Sequence, residues 1–264
     1  MTLCLIMTEV IESKWDGNPH RQVIVSNQEN MLAKIQKALG RNPGSPPLTA
    51  PSVSGDAGMV SPPTAANELL ARFEAELQAV GGRTFRAGSS TELDHILLSI
   101  LDAHATTQVV LSKNAILGQT KLREKCASWG KSAARWSGSS MEEEDRFRQQ
   151  CFAADVGITG VSFVLAESGS LVLTSQTEGA QLVSLAPPVH IALYQRNQLR
   201  ATLEDVLSRL PVSTAPGQPG PARSAVFVTG TSRTADIEQI LIRGVHGPRE
   251  VHAILIEEAC LIDE

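Results

Sequence analysis

RTFRAGSSTELDHILLSILDAHATTQVVLS, residues 83–112, holds the pattern that sets the fold class. RTFRA reads as a strand. The segment Thr91 to His104 places Leu93, Leu97, Ile100 and Leu101 at helical spacing, and TQVVLS at 107–112 is a short apolar run of strand type. Strand, helix and strand in that order mark a parallel sheet covered on both faces. Upstream, Thr64 is an N-cap candidate for a helix running to Val80 and closed by Gly81-Gly82. Downstream, Ile116 to Trp129 reads as one further helix and Glu142–Asp145 as an acidic turn.

At GITGVSFVLAESGSLVLTS, 157–175, two apolar runs flank Ser168-Gly169, which predicts a β-hairpin inserted into the alternation. HIALYQ is a strand, and a helix follows from Thr202 to Leu210. After a Pro/Gly-rich loop at 211–222 come strand SAVFVTG (224–230), helix TADIEQILIRG (234–244) and strand VHAILIE (251–257), which together predict a terminal βαβ unit. The rest of the chain divides into an extension at 1–26, an amphipathic helix at 27–41, a linker with six prolines at 42–63 and the α/β domain at 64–264. The apolar stripe of the tethered helix, Met31, Leu32, Ile35 and Leu39, covers either its own domain or another protein.

With 42% hydrophobic residues and a net charge of −5, the composition is that of an ordinary globular protein and offers no basic face for a nucleic-acid backbone. No run of about 18 apolar residues exists to span a membrane. MTLCLIM at the start lacks a basic flank and fails as a secretory signal, so a cytoplasmic setting is expected. Cys4, Cys126, Cys151 and Cys260 are scattered and form no metal or cluster spacing, so buried reduced thiols are expected.

Three stretches carry polar groups suited to chemistry. GTSRTADIE (230–238) follows a strand and opens a predicted helix, so Gly230, Ser232, Arg233, Thr234 and Asp236 could bind an anion at the sheet's carboxyl end; capping alone also accounts for the hydroxyls and acids. GVHGPREVH (244–252) is a Gly/Pro turn in which His246 either handles a proton or ties the turn, beside Gly247 and Arg249. His252 within the strand reads as a sheet-face residue rather than a metal ligand. AESGS (166–170) places Glu167 at the end of an apolar strand, next to Ser168 and Gly169. Asp155, Thr159, Ser184 and His190 read as turn or strand-edge polar groups. Neither a dinucleotide or Walker loop nor a nucleophile elbow is present.

GITG at 157–160, LAESGSLVL at 165–173, SLAPPVHIAL at 184–193 and SRTADIEQILIRGVHGPREVHAILIE at 232–257, in that order, resemble the LUD-domain family, in particular its lactate utilization protein C branch (LutC/YkgG type). The likeness covers residues 27–260, with AESGS standing where AETGT is usual. The resemblance implies a Rossmann-like α/β fold of the kind seen in sugar-phosphate isomerases and coenzyme A transferases. It also implies a role in oxidising L-lactate to pyruvate, without a cofactor in this chain and with iron–sulfur clusters in two partner proteins. The resemblance supplies no catalytic residue; from the residues themselves Glu167 and His246 are the catalytic candidates, and Ser168, Gly169, Gly230, Ser232, Arg233, Thr234, Asp236, Gly247 and Arg249 are expected to face a small carboxylate or phosphate-bearing ligand. The alternatives are a scaffold that docks the iron–sulfur partners and a stand-alone isomerase or acyl-transfer enzyme of the same fold.

Overall fold

The computed structural model describes residues 66–138, 140–210, 224–236, 240–244 and 246–261. The extension, the amphipathic helix and the linker expected at 1–63 lie outside the described residues, as does the loop 211–222. Helix α1 (Ala66–Ala79) leads into β1 (Arg83–Ala87), α2 (Ser90–Ala103) and β2 (Gln108–Leu111). Two short helices, α3 (Ala115–Gln119) and α4 (Leu122–Ser128), precede β3 (Ser132–Arg135), α5 (Met141–Ala153) and β4 (Val156–Thr159). Next come β5 (Phe163–Leu165), β6 (Ser170–Thr174), the single turn α6 (Ser175–Glu178), β7 (Val189–Tyr194), β8 (Leu199–Arg200) and α7 (Leu203–Arg209). The chain closes with β9 (Ala225–Val228), β10 (Arg233–Asp236), β11 (Ile240–Arg243) and β12 (Glu250–Ile256).

Six strands form one parallel sheet in the order β1-β12-β7-β4-β2-β3, as the strand–helix–strand pattern predicts. Alternate residues of each strand face opposite sides of the sheet. Val109, Leu111, Val156, Ile158, Ile191, Leu193, Ile254 and Ile256 pack on Leu93, Leu97 and Leu101 of α2 and on Leu117 and Leu122 of α3 and α4. Ala192, Tyr194, Val251, Ala253 and Leu255 face the other way, onto Leu70, Phe73 and Leu77 of α1 and onto the hairpin strands. Phe73 meets Tyr194 edge-on at 5.4 Å. Ser89 caps α2 by accepting the Glu92 amide, and the Glu92 carboxylate reaches back to the Gly88 amide at 2.7 Å.

The hairpin insertion is present, with β5 and β6 antiparallel, and it grows into a second sheet of order β8-β5-β6-β9. Strand β9 therefore pairs antiparallel with β6 and does not enter the parallel sheet. The helix expected over 234–244 is replaced by the antiparallel pair β10–β11, with Arg233 opposite Arg243 and Asp236 opposite Ile240. Thr234, Ile240 and Ile242 are β-branched, lose side-chain freedom in a helix and suit a strand. The terminal unit is thus two separate sheet elements before β12, not βαβ.

Three smaller differences follow the same logic. The helix predicted over 116–129 breaks at Lys121, whose φ of 50° is left-handed. The acidic stretch 142–145 is no loop but the first turn of α5, capped by Ser140, where carboxylates favour the helix dipole. Strands β3 and β4 are too short for periodicity to show. Cys126, Cys151 and Cys260 are buried free thiols, and burial pushes Cys126 up to about 11 and Cys151 to about 12.

Gly157 on β4 lies beneath the turn at 181–184, so close that a Cβ there would stand 1.9 Å from the Val183 carbonyl oxygen. Since that obstacle is backbone, Gly157→Ala is expected to lower unfolding free energy by about 3 kcal/mol, read as a lower urea midpoint at unchanged slope.

Candidate functional site

Gly169, Gly230, Ser232 and Gly247, from the three polar stretches of the sequence, reach the amino end of the parallel sheet. Gly169 at the hairpin tip and Gly230 after β9 both have positive φ, 63° and 80°, and both abut the last turn of α1 at Leu77 and Val80. A hydroxyl ladder joins the two, Ser168 Oγ to Ser170 Oγ at 2.7 Å and Ser170 Oγ to Thr229 Oγ1 at 2.6 Å. Glu167 accepts the Leu203 amide at 2.8 Å and so secures the start of α7 to the hairpin. Glu167, Ser168, Ser170 and Thr229 line an open cleft of about 590 Å³, walled on its apolar side by Leu165, Leu203, Leu207 and Phe227.

The two terminal motifs meet through their backbones. The Ser232 amide donates to the Pro248 carbonyl at 2.9 Å, and the Gly244 amide donates to the Ser232 carbonyl at 3.1 Å. Arg249 donates its amide to the Pro188 carbonyl at 2.7 Å, just before β7, and its side chain is exposed, as is that of His246. Gly247 lies against Ser232. This places Ser232, Gly244, Pro248 and Arg249 beside the amino ends of β7 and β12, contrary to the carboxyl-end crevice expected from a βαβ unit. Arg233, Thr234 and Asp236 sit on β10, so no helix N-terminus is available there to attract an anion.

The carboxyl end of the sheet holds a second polar group, centred on a buried carboxylate. From β2 the chain steps outward to β3, whereas β4 and β7 step the other way, so the order reverses between β2 and β4. Ligands of open α/β sheets bind in the crevice at such a point. There the buried Glu178 carboxylate accepts from Ser112 Oγ at 2.6 Å, from Asn114 Nδ2 and from the Gly160 amide at 3.1 Å. Asn114 also caps α3 by accepting the Ile116 amide. Burial pushes the Glu178 carboxyl up, against donors from Ser112, Asn114, Thr177 and Gly160 that favour its ionised form.

Asp155, Thr159, Ser184 and His190 tie turns and strands together. Asp155 accepts from the Thr107 and Gln108 amides and the Thr107 hydroxyl; burial opposes its charge, and these three donors hold it below its ordinary value. Thr159 Oγ1 meets His190 Nε2 at 2.8 Å, and burial pushes that imidazole down to about 3, which keeps it neutral. Ser184 donates to the Gln181 carbonyl.

The family model described as the LUD domain matches residues 70–256. The chain belongs to the LUD domain family. Proteins called lactate utilization protein C are similar to it along nearly their whole length: that of Exiguobacterium sp. is 25% identical over 89% of this chain and 97% of its own, and that of Oceanobacillus iheyensis 26% identical over 88% and 99%. The protein of that name from Halalkalibacterium halodurans is 36% identical over 44% of this chain, and there the match spans half the relative's length. A crystal structure of a DUF162 family protein from Deinococcus radiodurans superposes with a TM-score of 0.50 at 18% identity, covering 74% of this chain and all of that one, and so shares the fold.

In this LUD domain the matched span runs from α1 through the last residue of β12 and takes in both ends of the sheet. Ser112 and Gly160 had a legible signal, since each directly follows an apolar strand, with Asn114 two residues beyond Ser112. Glu178 had none, because SQTEG carries no period. Removing its carboxylate leaves Ser112, Asn114 and Gly160 donors without their acceptor. Glu178→Ala is expected to cost about 3 kcal/mol of stability, measured by chemical denaturation, with a smaller loss for Glu178→Gln, which restores one acceptor.

Proposed function

We propose that this LUD-domain chain is a subunit of an L-lactate utilization system that takes lactate to pyruvate, with the iron–sulfur clusters of the reaction held by partner subunits. Relatives called lactate utilization protein C, aligned over almost their full length, support the lactate role. The ligand is a small carboxylate or phosphate-bearing molecule bound at the amino end of the sheet. The observation that carries this reading is the backbone lock between Ser232, Gly244 and Pro248, which fixes the loop bearing the exposed Arg249 and His246. A guanidinium on a fixed loop suits a carboxylate or phosphate by charge and by its paired donors. His246 and Glu167 are the groups proposed to handle a proton, and Ser168 and Ser232 to orient the ligand by hydroxyl donors.

Calorimetric titration of the full chain with L-lactate, pyruvate and phosphorylated three-carbon acids tests the binding. Arg249→Ala should weaken the ligand by about tenfold or more, and absence of heat with every one of these, alone or with partner chains present, would refute an anion site. Normal growth on lactate with Glu167→Gln and His246→Ala together would remove the catalytic role.

A second reading, a scaffold for the iron–sulfur partners, draws on a different observation. Leu203, Leu207 and Phe227, 43%, 51% and 37% exposed, stand together along one cleft. Large apolar side chains grouped in this way suit a protein partner. Leu207→Asp is expected to abolish co-purification with the partner subunits while leaving the thermal midpoint within about 2 °C of the parent.

A further inference from the structure

His104, Glu250 and His252 come from three points in the sequence and meet below the amino ends of β1 and β12. His104 ends α2, Glu250 opens β12, and His252 lies two residues along the same strand, on the same face. Their ligand-capable atoms all lie within 4.8 Å of one another. We infer that these three side chains form a binding site for one divalent transition-metal ion of the zinc class.

The spacing supports this directly. Glu250 Oε2 stands 3.5 Å from His104 Nε2 and 3.3 Å from His252 Nε2. A tetrahedral ion with bonds of about 2.0–2.1 Å sets its donors about 3.3–3.4 Å apart. Glu250 Oε2 and His252 Nε2 stand at ion-pair distance, yet neither buried atom has a partner that meets hydrogen-bond geometry. Buried polar atoms of this kind ordinarily have partners, and a shared cation would satisfy them. His252 is 1% exposed, and Phe85 stacks against its ring at 5.9 Å, which fixes its direction.

The donor set of two imidazoles and one carboxylate selects borderline metals over magnesium or calcium, which prefer all-oxygen shells. Three protein ligands leave a fourth position, and a cleft of about 370 Å³ lined by Phe85, His95, Ser99 and His104 opens onto the group. A water or a small anion would complete the shell from that side. Arg83 stands 3.7 Å from the same carboxylate oxygen, and its side chain is 66% exposed, so it can swing into solvent as the ion enters.

Zinc titration of the chelator-treated full chain, in competition with a chromophoric chelator, tests the site. One equivalent should bind and raise the thermal midpoint, because an ion that binds only the folded state stabilises it. His104→Ala and Glu250→Gln should each weaken binding by at least about tenfold, with far-ultraviolet circular dichroism confirming the fold. Arg83→Ala, which removes the competing cation, should bind at least as tightly. Cobalt in place of zinc should give visible d–d bands without a thiolate charge-transfer band. No binding by the parent chain, equal binding by His104→Ala, loss in Arg83→Ala, or a thiolate band would each overturn the assignment.

Discussion

The insertion of β12 between β1 and β7 is the constraint on which the rest of the structure depends. Its backbone is hydrogen-bonded on both edges, from Glu250 opposite Val189 to Ile256 opposite Ala87. Its side chains serve both cores, Val251, Ala253 and Leu255 on one face and Ile254 and Ile256 on the other. A strand buried on both faces and both edges tolerates neither a polar run nor a register slip, since a slip of one residue would exchange the two faces. The loop before it is held accordingly, through the Arg249 and Glu250 amides on the Pro188 carbonyl.

Because β12 is pinned, its amino end is a fixed platform. The Gly/Pro loop, the hairpin tip at Glu167–Gly169 and the histidine pair at 104 and 252 all lie on elements that reach that end. The carboxyl end is fixed by other means: Glu178 gathers the loops after β2 and β4 about one buried carboxylate. The chain therefore has an outward-facing polar end built from glycine, proline and arginine and an opposite end built around an internal acid. Strand ends place both, and the chemistry offered at each differs with the solvent it sees.

Much of this was legible in the residues. The apolar spacing of α2, the run at 108–111 and the turn at Ser168-Gly169 each have one structural solution, and they predict the parallel sheet and its hairpin. Residues 225–243 misled for a physical reason. AVFV and ILIR carry apolar, β-branched content that suits a strand in either sheet, and an Asp-Ile-Glu stretch also matches a helix start; only tertiary pairing with β6 decides where β9 goes. The site partners were harder still. His104 and His252 are separated by the whole domain, and no spacing rule joins them, because the parallel sheet alone makes them neighbours.

The position of β12 also sets a timetable for synthesis. Strand β1 touches the parallel sheet through β12 alone, so a growing chain can assemble β2, β3, β4 and β7 while the edge of β7 stands open. Only when residues 250–256 leave the ribosome can that edge be covered and β1 recruited to the sheet. An open parallel edge flanked by valine, isoleucine and leucine is a surface that other chains can pair with. Until β12 is in place, the edge of β7 is thus where this protein is most open to wrong partners.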